Sequence, residues 1–386
     1  MKINSNGSKS YKQIKGRDVV FVFGAGASYA DGAPLQKDIL PLIMSGELLD
    51  IRNSKTGQSV TEFIADNFAW DNQVPIYPTL ETVFGFLDYF ISQDEHLSAQ
   101  YPNARIRAIK EGLIKLIHYV ISVKSNEQSR TYCAFWEAIY RYNPNIAILT
   151  LNYDTLLEDA FSMVHGGRSN IDYALHLMNY DFAGTKQPEY YRNNQASMKI
   201  MKGHGSLNWK YCHCCKQVLL TPRDTKIDLF DKDNGNDKGG SAKHYCPVDA
   251  SEFETLIIPP SHIKKISHPV ISQILSEAMR EIRSCKKVVF VGYSFPDADV
   301  HFKALFKKSL IHGQEVIVIN NSKSKTLKYN YLALTDNVQF IKLSFAEFLG
   351  HESLVKEILT VNDGSFSDRI NYRPFYDKVI DMLRHN

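Results

Sequence analysis

The chain predicts an α/β fold, a doubly wound parallel sheet carrying a large helical insertion and a small cysteine-containing module. Three observations carry this expectation. Apolar, β-branched runs of three to six residues recur along the chain, as buried parallel strands require. Several of them end directly in Gly or Asn, where open α/β sheets place their ligands. Between the first two runs lies a long span in which apolar residues return every three or four positions, the spacing of buried helical faces. A sheet of this kind is Rossmann-like.

In chain order, Val19 to Phe23 is the first predicted strand, and Ile146 to Leu151 the second. Leu256 to Ile258, Val288 to Val291 and Val316 to Ile319 follow, with Val338 to Leu343 as a sixth. The span from about 40 to 142 reads as a helical insertion, on the evidence of Ala104, Ile106, Ile109, Leu113, Leu116, Ile117, Val120 and Ile121. It is expected to form a lid, an assembly surface or both. Residues 210–250 form the cysteine module, whose centre, Asp231 to Gly240, has nothing to bury and reads as a mobile loop. Residues 1–16 are expected to be flexible, residues 17–350 to be the nucleotide-binding domain, and residues 351–386 a helical tail with a short amphipathic helix at Tyr372 to Leu383.

A chain of 386 residues with 44% hydrophobic content can bury one large core. No stretch approaches the ~18 apolar residues of a membrane helix. Met1 to Arg17 lacks the apolar centre of a secretory signal, so the expected location is the cytoplasm. A net charge of +3 neither implies nor excludes a nucleic-acid surface. Four of the six cysteines fall between Cys212 and Cys246, which suggests a local metal or thiol cluster in place of a disulfide framework.

Four short motifs carry the candidate chemistry. Gly24-Ala25-Gly26-Ala27-Ser28 follows the first strand, where glycines permit backbone to approach a pyrophosphate closely. It is not the G-x-G-x-x-G fingerprint, because no glycine follows until Gly32. Asn152 and Asp154 stand at the end of the second strand. Asp154 suits a helix N-cap as well as a catalytic role, whereas an amide at Asn152 can hold a water or a ribose hydroxyl. His204 lies between Gly203 and Gly205 and is suited to accept a proton near neutral pH. Gly292-Tyr293-Ser294 is a second glycine turn, followed by Asp297 and Asp299 as helix caps or ligand contacts, and Asn320 ends the next strand. Cys212, Cys215 and Cys246, with either His244 or Asp249, would complete a tetrahedral zinc site; a relic cluster without metal is the alternative.

In their order, these motifs resemble the sirtuin, or SIR2-like, family. The resemblance covers Val19 to about Asn321. It implies that Gly24, Ala25, Gly26 and Ser28 bind the pyrophosphate of NAD, which is the substrate. It also implies that Asn152 and Asp154 hold the nicotinamide ribose and attacking water, that His204 is the general base, and that Gly292, Ser294 and Asn320 hold the adenosine half. Protein deacylases carry Gly-Ile-Pro-x-Phe-Arg where this chain has Gly32-Ala33-Pro34-Leu35-Gln36-Lys37. Where they clamp an acyl-lysine peptide as an added strand, this chain has Pro259 and Pro260, which lack the necessary donors. The pattern looks more like bacterial anti-phage NAD hydrolases of the type paired with a HerA ATPase. That implies cleavage of NAD to nicotinamide and ADP-ribose, a homo-oligomer and an ATPase partner. A deacylase or ADP-ribosyltransferase, and a non-catalytic NAD or ADP-ribose binder or nucleic-acid-engaging nuclease subunit, are the alternatives.

Overall fold

The computed structural model describes residues 16–361, apart from 72–73, 75, 166–170, 179–197, 222–228, 231–244 and 262–267. The expectations for residues 1–15, the loop at 231–240 and the helix at 372–383 lie outside the described residues. Strand β1 (Val19–Phe23) is buried on both faces and runs into helix α1 (Ala25–Ser28). Helices α2 (Gln36–Met44), α3 (Leu49–Asn53), α4 (Lys55–Asn67), α5 (Leu80–Gln93) and α6 (Asn103–Lys124) follow, and then α7 (Arg130–Tyr142). Ser54, Thr79 and Ser129 start α4, α5 and α7 by accepting backbone N–H groups with their hydroxyls.

The chain returns to the sheet through β2 (Ile146–Thr150), α8 (Leu156–Val164), β3 (Ile171–Asp172) and β4 (Met198–Lys202). It then makes a small sheet of β5 (Gly205–Tyr211), β6 (Val218–Leu220) and β7 (Glu254–Ile257). Helix α9 (Pro269–Ser284), β8 (Lys287–Val291), α10 (Val300–Ser309), β9 (Glu315–Ile319), α11 (Lys325–Leu332), β10 (Val338–Ile341), α12 (Phe345–Gly350) and α13 (Glu352–Leu359) complete the described chain.

The main sheet has the order β10-β9-β8-β1-β2-β4-β3, and every pairing in it is parallel. The fold is therefore the expected Rossmann-like α/β architecture. One strand was assigned to the wrong sheet by the sequence: Leu256 and Ile257 belong to β7, which pairs antiparallel with β5 in a separate three-stranded sheet. A short apolar run reports burial but not the direction or identity of its neighbour.

Side chains of β1 alternate between two cores, as strand geometry dictates. Val20 and Val22 face a core shared with α9, α10 and α11, while Val19, Phe21 and Phe23 face one built with α7, α8, α12 and α13. Helices α2 to α6 bury their apolar faces in a third core, which also takes Leu207 of β5 and Ile257 of β7. Helix α7 instead covers the main sheet, with Phe135 edge-on to both Phe21 and Phe23. The winding changes direction at β1, which lies between β2 and β8. This opens a crevice at the carboxyl ends of these three strands. No helix among the described residues is long and apolar enough to cross a membrane.

Candidate functional site

A cavity of about 970 Å³ occupies that crevice, near the top of the ~300–1,000 Å³ range of small-molecule sites. Gly24, Ala25, Gly26, Ser28, Asn152, Asp154, His204, Gly292, Ser294 and Asn320 all line it. The insertion supplies part of the opposite wall through Ile117, Ile121 and Glu81.

Two glycine turns interlock at its floor. The Gly24 amide donates to Val291 O at 3.0 Å and the Gly26 amide to Gly292 O at 3.0 Å, while Ala27 N donates to Gly24 O at 2.9 Å. The first two bonds tie the two turns together, and the third closes the first turn on itself. The absence of side chains is what permits the approach: a Cβ on Gly26 would meet Gly292 Cα at 2.9 Å, and Gly292 adopts φ +62°. Phe295, two residues past Tyr293, is also left-handed at φ 55°, a costly conformation for an aromatic residue.

Asn152 is buried, and its Nδ2 donates to Gly24 O at 3.0 Å and to Ser28 Oγ at 3.0 Å. Both amide hydrogens are thus used in locking the second strand's end to the first glycine turn. The carbonyl Oδ1 is the part of the amide left to accept from a hydroxyl or water. Ser28 continues the network to the Tyr132 hydroxyl at 3.0 Å.

Asp154 does not cap α8 in the expected way, since Thr155 is the N-cap; its Oδ1 accepts from Leu156 N at 3.2 Å. Burial pushes its carboxyl up to about 6, against the opposing pull of Lys202. Lys202 itself is fully buried, pairs with Glu158 at 2.9 Å and donates to Asp154 O at 2.5 Å.

His204 shows the clearest preorganisation. Its Nδ1 lies 3.1 Å from Leu151 O, and because a carbonyl only accepts, Nδ1 carries the hydrogen. The other nitrogen, Nε2, faces Asp299 Oδ1 at 3.3 Å. Asp299 Oδ2 accepts from the Tyr293 hydroxyl at 3.0 Å, which fixes the carboxylate in turn. The imidazole lies beside the Tyr153 ring and against the edge of Phe302.

Sequence reasoning placed Asp299 only as a helix cap or an unranked ligand contact. It is indeed the N-cap residue of α10, but its side chain makes no cap bond and turns to His204 instead. Its position five residues after Ser294 was the available signal. Tyr153, Tyr293, Ser28's partner Tyr132 and the Lys202–Glu158 pair were passed over, because aromatic and paired charged residues next to motifs look like ordinary packing. Asn320 reaches the cavity wall and donates through Nδ2 to Tyr293 O at 3.3 Å.

The cysteine module brings Cys212, Cys215, Cys246 and Asp249 together, with one ligand atom from each within 4.8 Å of all the others. Cys215 and Cys246 sulfurs are 3.7 Å apart, and Cys212 Sγ is 3.3 Å from Asp249 Oδ2. Ligand pairs on a tetrahedral zinc, with bonds near 2.3 Å to sulfur and 2.0 Å to oxygen, stand about 3.5–3.8 Å apart. The residues therefore fit a zinc ion. Of the two alternatives for the fourth corner, Asp249 is in place, while His244 lies outside the described residues.

A family model described as a SIR2-like domain matches residues 146–341, just over half of the chain. No curated protein matches. Similar solved structures include a triply substituted Sir2 homologue in complex with 2′-O-acetyl-ADP-ribose, at 15% identity and a TM-score of 0.46, covering 91% of this chain and 96% of that one. Another is a Sir2 homologue in complex with NAD, at 13% identity and a TM-score of 0.45, covering 90% and 92%.

Proposed function

Because the chain belongs to the SIR2-like family, we propose that it is an NAD hydrolase that cleaves NAD to nicotinamide and ADP-ribose. The observation that carries this reading is the convergence of Asn152 and the His204–Asp299 pair on one cavity floored by the two glycine turns. NAD lies with its pyrophosphate over Gly24 to Gly26 and its adenosine toward Gly292, Ser294 and Asn320. The C1′–N bond of the nicotinamide ribose breaks with its electron pair going to the pyridinium ring, which leaves as neutral nicotinamide. Asn152 Oδ1 accepts a hydrogen bond from the water whose oxygen bonds C1′. The proton released by that water passes to His204 Nε2, with Asp299 stabilising the imidazolium as it forms. Asp154 orients a ribose hydroxyl.

Deacylation is less well supported. Ile258 N donates to His204 O at 2.9 Å, and Pro259 and Pro260 follow, so three successive positions beside the proposed base have no free amide donor for a peptide strand. The cysteine cluster is assigned to a structural zinc that ties β5 to the segment before β7 and takes no part in bond cleavage. The finer reading is an anti-phage effector that depletes NAD, acting as a homo-oligomer with a HerA-type ATPase. Its support is the motif resemblance, and the insertion is its candidate assembly surface.

The test is nicotinamide release from NAD by the purified protein without any acyl peptide, with and without the partner ATPase. His204→Ala and Asn152→Ala are each expected to lose ~10²–10⁴-fold in turnover. Asn152→Asp should fall as far, because a carboxylate cannot donate to Gly24 O and would be set against it. Full activity in Asn152→Ala would sink the assignment. Release that depends on added acyl-lysine would transfer it to the deacylase class.

A further inference from the structure

Beside the base stands a third ligating group that the hydrolytic reading does not use. His301, half-buried at the second position of α10, brings a ring nitrogen within 4.8 Å of both His204 and Asp299 ligand atoms. The His204 and His301 rings are 5.9 Å apart between centroids. The three ligand atoms lie close enough together to share one ion, and two of the residues, His204 and Asp299, line the cavity.

The geometry between His204 and Asp299 bears on what fills that volume. With the Nδ1 hydrogen given to Leu151 O, the lone pair of a neutral imidazole at Nε2 points toward a carboxylate oxygen. A proton or a metal ion can be shared between these two atoms. A charge-assisted N–H···O bond usually closes to ~2.7–2.9 Å. The 3.3 Å separation leaves room for a shared ion, since nitrogen and oxygen ligands on a tetrahedral zinc with bonds near 2.0–2.1 Å stand roughly 3.3–3.4 Å apart.

The outer contacts are also those of a metal site. Ligating histidines typically donate their second N–H to a carbonyl, as His204 does to Leu151 O, and ligating carboxylates are hydrogen-bonded, as Asp299 is by Tyr293. Three protein ligands with the fourth position open is the arrangement of an exchangeable zinc, and His204 and Asp299 both face the cavity. We propose that His204, Asp299 and His301 form a reversible divalent-cation site, selective for zinc by its nitrogen and oxygen donors, whose occupation switches off the NAD cavity. The ion bonds the Nε2 electron pair that the water's proton needs, so the chain can hold a metal there or act as a base, but not both. The inhibitory part rests on reading His204 as the base of the NAD reaction; the binding of the ion does not.

The experiment uses the full chain with its cysteine cluster filled beforehand, titrated with Zn²⁺ and, for spectroscopy, with Co²⁺. Metal per chain is counted by equilibrium dialysis, and nicotinamide release is followed in parallel. The wild type should take up one ion beyond the cysteine cluster, with Co²⁺ showing visible bands but no new thiolate charge-transfer absorption, and turnover should fall as it binds. His301→Ala and His301→Gln should keep zinc-free turnover, lose the additional ion, and require at least ~10-fold more zinc for half-inhibition. Circular dichroism checks that both variants fold. Equal metal uptake by wild type and a folded His301 variant would overturn the site, as would thiolate absorption from the additional ion. Uptake with undiminished turnover would overturn the switch alone. If the chain releases no nicotinamide under any condition, metal uptake still decides the site, and only the hydrolase reading falls.

Discussion

Asp154 is the residue whose energetics the structure exposes most directly. A carboxyl with a folded value of about 6 and an ordinary value of 3.8 holds its proton more tightly in the folded state than in the unfolded one. Its ionisation therefore opposes folding: the cost is absent below about 3.8, grows as pH climbs to about 6, and is constant above that. The size of the displacement corresponds to about 3 kcal/mol at most. Asn at this position keeps an acceptor for Leu156 N and has no charge to bury. Asp154→Asn should therefore match the wild type in stability near pH 3.5 and exceed it by up to about 3 kcal/mol at pH 7.5, read by urea unfolding at the two pH values. An equal difference at both pH values would show that the wild-type carboxyl does not titrate in this window.

At the scale of elements, the site is the meeting of two turns that only glycine permits. A methyl group on Gly292 would lie 2.3 Å from Ala27 N and 2.4 Å from Gly26 C, on a backbone already in the left-handed region. The conformation alone costs about 1–2 kcal/mol for an L-residue, and the clash with backbone adds to it. Gly292→Ala should lower the melting temperature by several degrees and abolish ADP-ribose binding, measured by calorimetry. Gly85→Ala is the contrast: it lies inside α5 with open space where its Cβ would be, so about 0.5–1 kcal/mol of stabilisation is expected. Loss of stability of similar size in both variants would refute the interlocking of the turns. The same contrast explains what the sequence could disclose. Strands β1, β2, β8 and β9 were legible because their side chains are mostly apolar or β-branched and their ends run into Gly or Asn, and β10 by its apolar residues alone. Strand β4 was not, since Lys199 and Lys202 make Met198–Lys202 look like surface, whereas both lysines are buried against acids on α9 and α8. Asp299 was legible as an acid beside a turn, but its choice of His204 over the helix end depends on how α10 packs against β4's exit, which no local pattern records.

For the molecule as a whole, His204, the proposed base, stands at the junction of three bodies: the parallel sheet through Leu151, the insertion through Tyr153 and the core under Leu207, and the small sheet through Gly205 and Ile258. Strands β5 and β7 leave His204 and run to the cysteine cluster, where Cys212 follows β5 and Cys246 and Asp249 precede β7. Seven residues of β5 span roughly 23 Å at about 3.3 Å each, so the proposed zinc acts on the base only by holding the far ends of its two supporting strands. The ends of β8 and β9, the proposed adenosine side of the cavity, have no such tether among the described residues. Chelation of protein carrying a single zinc per chain should therefore lower the melting temperature and reduce kcat by ~10-fold or more, while ADP-ribose affinity changes by less than about threefold. Removing the ion disturbs the geometry of the base and leaves the glycine turns standing. A parallel collapse of affinity and kcat would mean that the two sheets fold as one unit and that the module supports the whole crevice. Unchanged melting temperature and kcat after verified metal loss would mean that Cys212, Cys215, Cys246 and Asp249 hold the strands together without an ion.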